Sequence, residues 1–187
     1  MSKWLKSIVV ILQIGGGFLG LALIGRAVLT EQLTQSSVLI HVAFFFIFSF
    51  GIVAGVALIK KQKLGLFLSA VFQAIQIPTI LTSVVSYNMF CGATFSVYRY
   101  ETGFGSNFFF GSRYYFYLNS GMPWLVGINV IALVLFVLLI REILYEVSIA
   151  KLGQIRQRRV YPGHNFEQMQ DLRADSSPIR HSFPEHS

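Results

Sequence analysis

Uncharged polar residues recur inside the apolar runs of this chain, and they are the first residues whose chemistry calls for an explanation. In the third run, Ser69, Gln73 and Gln76 are spaced by four and three residues, which puts them on one face of a helix. If the apolar runs are helices that cross a membrane, a rise of 1.5 Å per residue puts Gln73 and Gln76 near the centre of the bilayer. Gln13 of the first run and Asn129 of the fourth then lie at similar depth. These five residues form a predicted polar seam.

Two interpretations of this polar seam stay open. Amides and hydroxyls inside a membrane join helices by hydrogen bonds, each contributing on average about 0.6 kcal/mol. The same groups can instead line a path for a substrate or an ion, although such paths usually carry an ionisable residue. Asp and Glu are absent from all the apolar runs, so the first interpretation is favoured.

Groups for catalysis or metal binding are sparse. Cys91 is the single cysteine, which excludes an intramolecular disulfide and a thiol pair. His41 is isolated, and His164, His181 and His186 are irregularly spaced near the C-terminus. Because no nucleophile–base pair, paired carboxylates or metal cluster is recognisable, the sequence predicts neither an enzyme nor a cofactor.

The apolar runs predict the architecture. The chain is 54% hydrophobic and 12% charged, and about 20 residues of helix are needed to cross a hydrocarbon core. Four runs approach that length. They predict an all-α membrane protein, a four-helix transmembrane bundle in residues 1–160, with spans at about 6–28, 38–59, 64–87 and 122–141.

Glycines in the first two runs predict close contacts between helices. Gly16 and Gly20 in the first run, and Gly51 and Gly55 in the second, form pairs of small residues spaced by four. Such pairs let helix backbones approach closely, either within one bundle or between copies.

Basic residues set the expected orientation. Lys3, Lys6, Lys60 and Lys61 flank the first two runs on one side, and the basic stretch from residue 141 to 159 follows the fourth. The positive-inside rule puts both termini in the cytoplasm, and a bacterial inner membrane fits best. The formal net charge of +7 is explained by these flanks, which argues against nucleic-acid binding.

A hairpin is predicted outside the bundle, in the outer loop at about 88–121. Polar and apolar residues alternate in its first half, both halves are rich in aromatic residues, and a Gly-rich turn joins them. Outward aromatic and arginine side chains are enriched in binding surfaces. The candidate partner surface consists of Tyr98, Arg99, Tyr100, Arg113, Tyr115 and Tyr117.

The C-terminal part divides into two segments. Residues 141–160 predict a juxtamembrane helix whose basic end suits anionic lipid headgroups, or serves only as an orientation signal. Residues 161–187 carry three prolines and little hydrophobicity, and predict a disordered cytoplasmic tail.

These observations favour a small non-enzymatic membrane protein that acts as a subunit or interaction partner in a membrane complex, bound to another membrane protein or to itself. The alternative is a small transporter or channel subunit that uses the polar seam on the third helix.

Overall fold

The chain folds into helices and a sheet. A computed structural model describes residues 1–30, 34–119, 121 and 123–160. The elements of this part follow the order α1 (Lys3–Thr30), α2 (Gln35–Lys60), α3 (Gln62–Gln76), β1 (Pro78–Leu81), β2 (Val85–Tyr100), β3 (Gly103–Leu118), β4 (Leu125–Asn129) and α4 (Val130–Val160). The predicted all-α four-helix transmembrane bundle is therefore wrong. Hydropathy measures how apolar a run is, and it does not distinguish a buried strand from a buried helix.

Two helices, α1 and α2, are long and apolar enough to cross a membrane, and among the described residues no other helix meets that test. They pack closely because glycines remove side chains between them. A Cβ on Gly20 would lie 2.3 Å from the Phe48 ring, and one on Gly55 would lie 2.7 Å from Ile14. The predicted contact between helices is confirmed for Gly20, Gly51 and Gly55, whereas it is wrong for Gly16, which contacts the strand β2.

The third predicted span, 64–87, is wrong beyond its first half. Helix α3 is 15 residues long and ends at Gln76, and β1 follows at Pro78. Proline lacks the N–H that would bond the carbonyl of Ala74 and its ring clashes with that carbonyl, so Pro78 disfavours continuation of the helix. The β-branched residues that follow, among them Thr79 and Ile80, favour a strand.

The fourth predicted span, 122–141, is also wrong in its first part. Residues Leu125–Asn129 form β4, and α4 begins only at Val130. The Asn129 side chain ends the strand and begins the helix, because its Oδ1 accepts a hydrogen bond from the Ala132 N–H at 3.3 Å. Helix α4 then continues to Val160, so residues 141–160 are helical. Their predicted position beside a membrane on the cytoplasmic side stays a prediction.

The pairing of two strands in the predicted loop at about 88–121 is confirmed, with the strands at Val85–Tyr100 and Gly103–Leu118. Strands β2 and β3 pair antiparallel along their whole length, from Val85 opposite Leu118 to Tyr100 opposite Gly103. Gly92 and Gly111 lie opposite each other with φ of +92° and +137°, a backbone region that favours glycine.

The sheet curls so that its short strands are paired on both sides. Strand β1 pairs with β4 and with the start of β2, while β4 also pairs with the end of β2. Strand β3 pairs with β2, its only strand partner among the described residues. The strand order is β1-β4-β2-β3.

The sheet lies against the helices, where an external loop was expected. One apolar cluster joins α1, α2, α3 and α4 around Val9, Leu58 and Leu139. A second joins α1, α2 and α3 to the hairpin around Phe48, Phe72 and Met89. Residues Met1–Tyr145 form one compact unit, which contains both clusters.

The remaining unit, Glu146–Ser187, is described over 146–160, where it continues α4. The predicted disordered tail at 161–187 lies outside the described residues.

Candidate functional site

All five residues of the predicted polar seam are buried. Their relative exposures are 0% for Gln13 and Ser69, 3% for Gln73, and 2% for Gln76 and Asn129. Ser69 on α3 donates its Oγ–H to Oε1 of Gln13 on α1 at 3.0 Å, so the expected contact between the first and third apolar runs exists.

Gln76 bonds to the sheet, which the sequence did not predict. Its Oε1 accepts the backbone N–H of Cys91 in β2 at 2.8 Å, and its Nε2 donates to the Phe72 carbonyl at 3.4 Å. A glutamine at the end of α3 therefore satisfies a strand N–H that no neighbouring strand reaches. This bond connects α3 to the middle of β2.

The middle of the hairpin also bonds to the middle of α1. Ser112 of β3 donates its Oγ–H to the Gly16 carbonyl at 2.6 Å, and Cys91 Sγ lies 3.7 Å from the Leu12 carbonyl. Gly16 makes the approach possible, since a Cβ there would lie 2.3 Å from the backbone nitrogen of Gly92. Sequence reasoning assigned Gly16 to helix–helix contact and gave no role to Ser112.

Asn129 lies where the third and fourth apolar runs, each of which divides into a helix and a strand, come together. Its backbone N–H donates to the Ile77 carbonyl at 2.8 Å, so the start of α4 is bonded directly to the residue after α3. Among the described residues, Gln13 and Ser69 are the two seam side chains that bond to each other, whereas Asn129 connects the start of α4 to the end of α3 through its backbone N–H.

Two amide nitrogens of this seam have no acceptor in the described part of the protein. Gln13 Nε2 and Asn129 Nδ2 are buried and make no hydrogen bond to any group there. An unsatisfied buried donor costs about 1–3 kcal/mol. These two donors are the part of the seam that helix joining does not explain.

A second set of buried polar side chains lies on the face of β2 that points away from Met89 and Cys91, the face that Asn129 of the seam shares. Thr94 and Ser96 hydroxyls are 3.0 Å apart, and Ser96 is directly opposite Asn129. Ser86, on the same face of β2, is fully buried. The curl of the sheet explains their burial, and only alternation within β2 could have indicated it.

The candidate partner surface divides between the two faces of the hairpin. Residues opposite each other share a face, so five of the six lie on one side and Arg99 lies on the other with Phe104. The five residues are Tyr98, Tyr100, Arg113, Tyr115 and Tyr117.

Ring contacts organise this surface. The Tyr115 and Tyr117 rings stack at 6.3 Å, and the Arg113 guanidinium lies 5.9 Å from the Tyr115 ring centroid. On the other face, Arg99 lies 5.7 Å from the Phe104 ring centroid. Tyr117 is 55% exposed, Phe104 74% and Phe108 64%, so aromatic surface is available on both faces.

Side chains that could bind a metal do not cluster. Across residues 1–30, 34–119, 121 and 123–160, no three His, Cys, Asp or Glu come together in a way that could hold an ion. No protein-family model, no curated protein and no solved structure matches this chain.

Proposed function

We propose that the chain is a non-enzymatic integral membrane protein that acts as a subunit or interaction partner in a membrane complex, with the β2–β3 hairpin as its binding element. The observation that carries this proposal is strand β3, which has a single strand partner in the described part of the chain and bears exposed aromatic side chains. Exposed apolar surface with an unpaired strand edge is a typical site of association.

Membrane insertion is supported by the exposure of α1 and α2. In each helix, 33% of the most apolar 18-residue window is buried, whereas the core helix of a soluble protein is mostly buried. Large side chains such as Leu39 and Phe46 are 71% and 65% exposed. Such surfaces are suited to lipid.

A cleaved signal sequence is a poor interpretation of α1. Val9 and Gln13 are fully buried, and Gly16 contacts the sheet. Removal of α1 would expose both apolar clusters, so we infer that α1 stays in the mature protein.

The orientation we propose has the lysine-rich end in the cytoplasm. Lys6 Nζ donates to the Ile59 carbonyl at 3.4 Å, so the start of α1 and the end of α2 lie at the same end. The N-terminal ammonium pairs with Glu142 of α4 at 2.7 Å, so Arg141 and Glu142 lie at this end too. The positive-inside rule then favours a cytoplasmic side for this end, and a bacterial inner membrane remains our proposal. Binding of anionic lipid by residues 141–160 stays a prediction.

Site-specific photocross-linking in native membranes tests the binding role. A photoreactive phenylalanine analogue replaces Phe108 on β3 in one variant and Phe46 on α2 in the other, since both side chains are about equally exposed, at 64% and 65%. We expect discrete protein adducts at Phe108 and only lipid adducts at Phe46. Absence of protein adducts at Phe108, or the same adducts at both positions, would contradict the proposed function.

The second function, a small transporter or channel subunit, is favoured by the two unpartnered amide nitrogens of Gln13 and Asn129. The end of α3 and the start of α4 also meet at Asn129. Substrate sites in many transporters lie at the ends of discontinuous helices. Flux of solutes or ions by the purified protein in liposomes tests it. Flux that Gln13→Leu abolishes without loss of folded protein would favour transport over partner binding.

A further inference from the structure

An open groove of about 300 Å³ runs along the end of α2, on the side opposite the buried face of this helix. Its lining residues are Ile52, Val53, Val56, Ala57, Lys60 and Lys61. The first five recur at spacings that place them on one face of a helix. The buried residues of this part of α2 lie on the other face: Gly51, Ala54, Gly55 and Leu58. The groove is therefore open to whatever surrounds the protein beside α2.

The groove is about as long as one leaflet of a bilayer is thick. Ile52 and Lys60 are eight residues apart, which is about 12 Å along a helix axis. Half of a hydrocarbon core is about 15 Å thick. In the orientation that we propose, Lys60 lies at the cytoplasmic interface, and the apolar part of the groove extends from there toward the centre of the bilayer. This step rests on the proposed function.

The interfacial end of the groove is basic. Lys60 and Lys61 are exposed, and neither pairs with an acidic side chain in the described part of the chain. The sequence has no Asp or Glu between Glu31 and Glu101, so α2 and α3 contain no acidic residue. Glu142, which lies at the same end, pairs with the N-terminal ammonium. The charge at this end of the groove is complementary to an anionic group.

We propose that this groove binds one anionic phospholipid of the cytoplasmic leaflet. An acyl chain lies along Val53, Val56 and Ala57, and the phosphate lies at Lys60 and Lys61. The cytoplasmic leaflet carries anionic lipids, so the ligand is present where the groove opens. Lysine ammonium groups bind phosphate as point charges.

Other occupants match the groove less well. A polar chain segment would bring backbone N–H and C=O groups to hydrocarbon depth, where such groups find no partner. A helix of a partner protein is about 10–12 Å wide with its side chains. A groove of about 300 Å³ is at the lower limit of ligand pockets and holds a narrower object. A phospholipid supplies both a thin apolar chain and an anionic group at its end.

Photoreactive lipids test the proposal on the full chain in lipid vesicles. Two lipids carry the same diazirine-labelled acyl chain, one with a phosphatidylglycerol and the other with a phosphatidylcholine headgroup, and mass spectrometry of peptides locates the adducts. We expect phosphatidylglycerol adducts on residues 52–57 to exceed phosphatidylcholine adducts by about fivefold or more, the factor that one lysine near the surface contributes. Equal adducts of the two lipids on these residues would overturn the proposal.

Two pairs of lysine substitutions with the same change in charge test the headgroup contact. Lys60→Gln with Lys61→Gln should lower the phosphatidylglycerol adducts on residues 52–57 to the level of phosphatidylcholine. Lys3→Gln with Lys63→Gln removes two exposed lysines that do not line the groove, and it should leave most of the preference in place. Equal losses in the two double variants would show that general surface charge attracts the lipid, which would overturn the site.

Two alanine substitutions test the acyl-chain contact. Ala57 is half-buried in the groove, whereas Ala43 is exposed near the other end of α2. Ala57→Phe should fill the groove and abolish the adducts on residues 52–56, and Ala43→Phe should leave them unchanged. Neither alanine lies among the buried residues of α2, so we expect both variants to fold. An Ala57→Phe protein that folds and keeps the adducts would overturn the proposal.

The outcomes also separate this proposal from the proposed function. Adducts of both lipids along α1 and α2 without a headgroup preference on residues 52–57 would overturn the phospholipid site and leave membrane insertion in place. Absence of lipid adducts on both helices would overturn membrane insertion, and the proposed function and this site with it.

Discussion

At the scale of single residues, two of the three glutamines in the seam, Gln13 and Gln76, are both almost completely buried but make different hydrogen bonds. Gln76 satisfies the N–H of Cys91, which lies at the centre of β2. Gln13 accepts from Ser69 but leaves its own Nε2 without an acceptor among the described residues. The two amide oxygens connect secondary-structure elements, whereas the unsatisfied Nε2 of Gln13 destabilises the fold.

This difference predicts opposite effects of the same substitution. Gln76→Leu should lower the free energy of unfolding by about 1–3 kcal/mol, because it leaves a buried backbone N–H unsatisfied. Gln13→Leu should change it by less than about 1 kcal/mol, because it removes an unsatisfied donor and the Ser69 hydroxyl can bond within its own helix. Equilibrium unfolding in detergent measures both. Equal losses for the two variants would show that the bond to Cys91 is not what stabilises Gln76.

At the scale of elements, the backbone of helix α1 contacts the backbone of the β2–β3 hairpin. Gly16 and Gly92 bring the two chain segments together, and Ser112 bonds across the contact. The contact depends on the absence of a side chain at one position of α1, while the adjacent Gly15 has nothing within 4 Å of where its Cβ would be.

Two neighbouring alanine substitutions should therefore differ sharply. Gly16→Ala should destabilise the protein by about 1–3 kcal/mol or more, since its Cβ would meet the backbone of Gly92, which cannot move aside as a side chain can. Gly15→Ala should be neutral or stabilise by up to about 1 kcal/mol through helix propensity. Thermal unfolding in detergent compares them. A neutral Gly16→Ala would mean that α1 and the hairpin do not touch in this way.

The helices α1 and α2 and the hairpin were predictable because their signals are local. Long uncharged runs predict helices, and alternating aromatic halves around a Gly-rich turn predict paired strands. Burial of Gln73 and Gln76 followed from their shared helical face. Residues 77–87 and 122–129 were assigned to helices because apolar β-branched runs have the same hydropathy in either conformation. The pairing of Pro78 with Ile128 connects segments 50 residues apart, which no local pattern encodes.

At the scale of the whole molecule, two long helices carry their apolar surface outward, and the sheet lies against the middle of one of them. The lysines at the start of α1 and at the end of α2 lie at the same end of the two helices, because Lys6 Nζ donates a hydrogen bond to the Ile59 carbonyl. Two neighbouring helices with one basic end, inserted in a membrane as we propose, have a defined expected orientation, and the proposed function depends on it.

Cysteine labelling in intact cells and in inverted vesicles measures this orientation. Lys61→Cys lies at the basic end and Ser36→Cys at the start of α2, and both native side chains are exposed. A membrane-impermeant maleimide should label Ser36→Cys from outside intact cells and Lys61→Cys only in inverted vesicles, as the positive-inside rule requires. Cys91 is the internal reference, since its thiol is buried at 3% exposure and should react only after unfolding. Labelling of both introduced cysteines from the same side would mean that α2 does not cross the bilayer. In that case β3 would face water, where its open edge would be a site of aggregation.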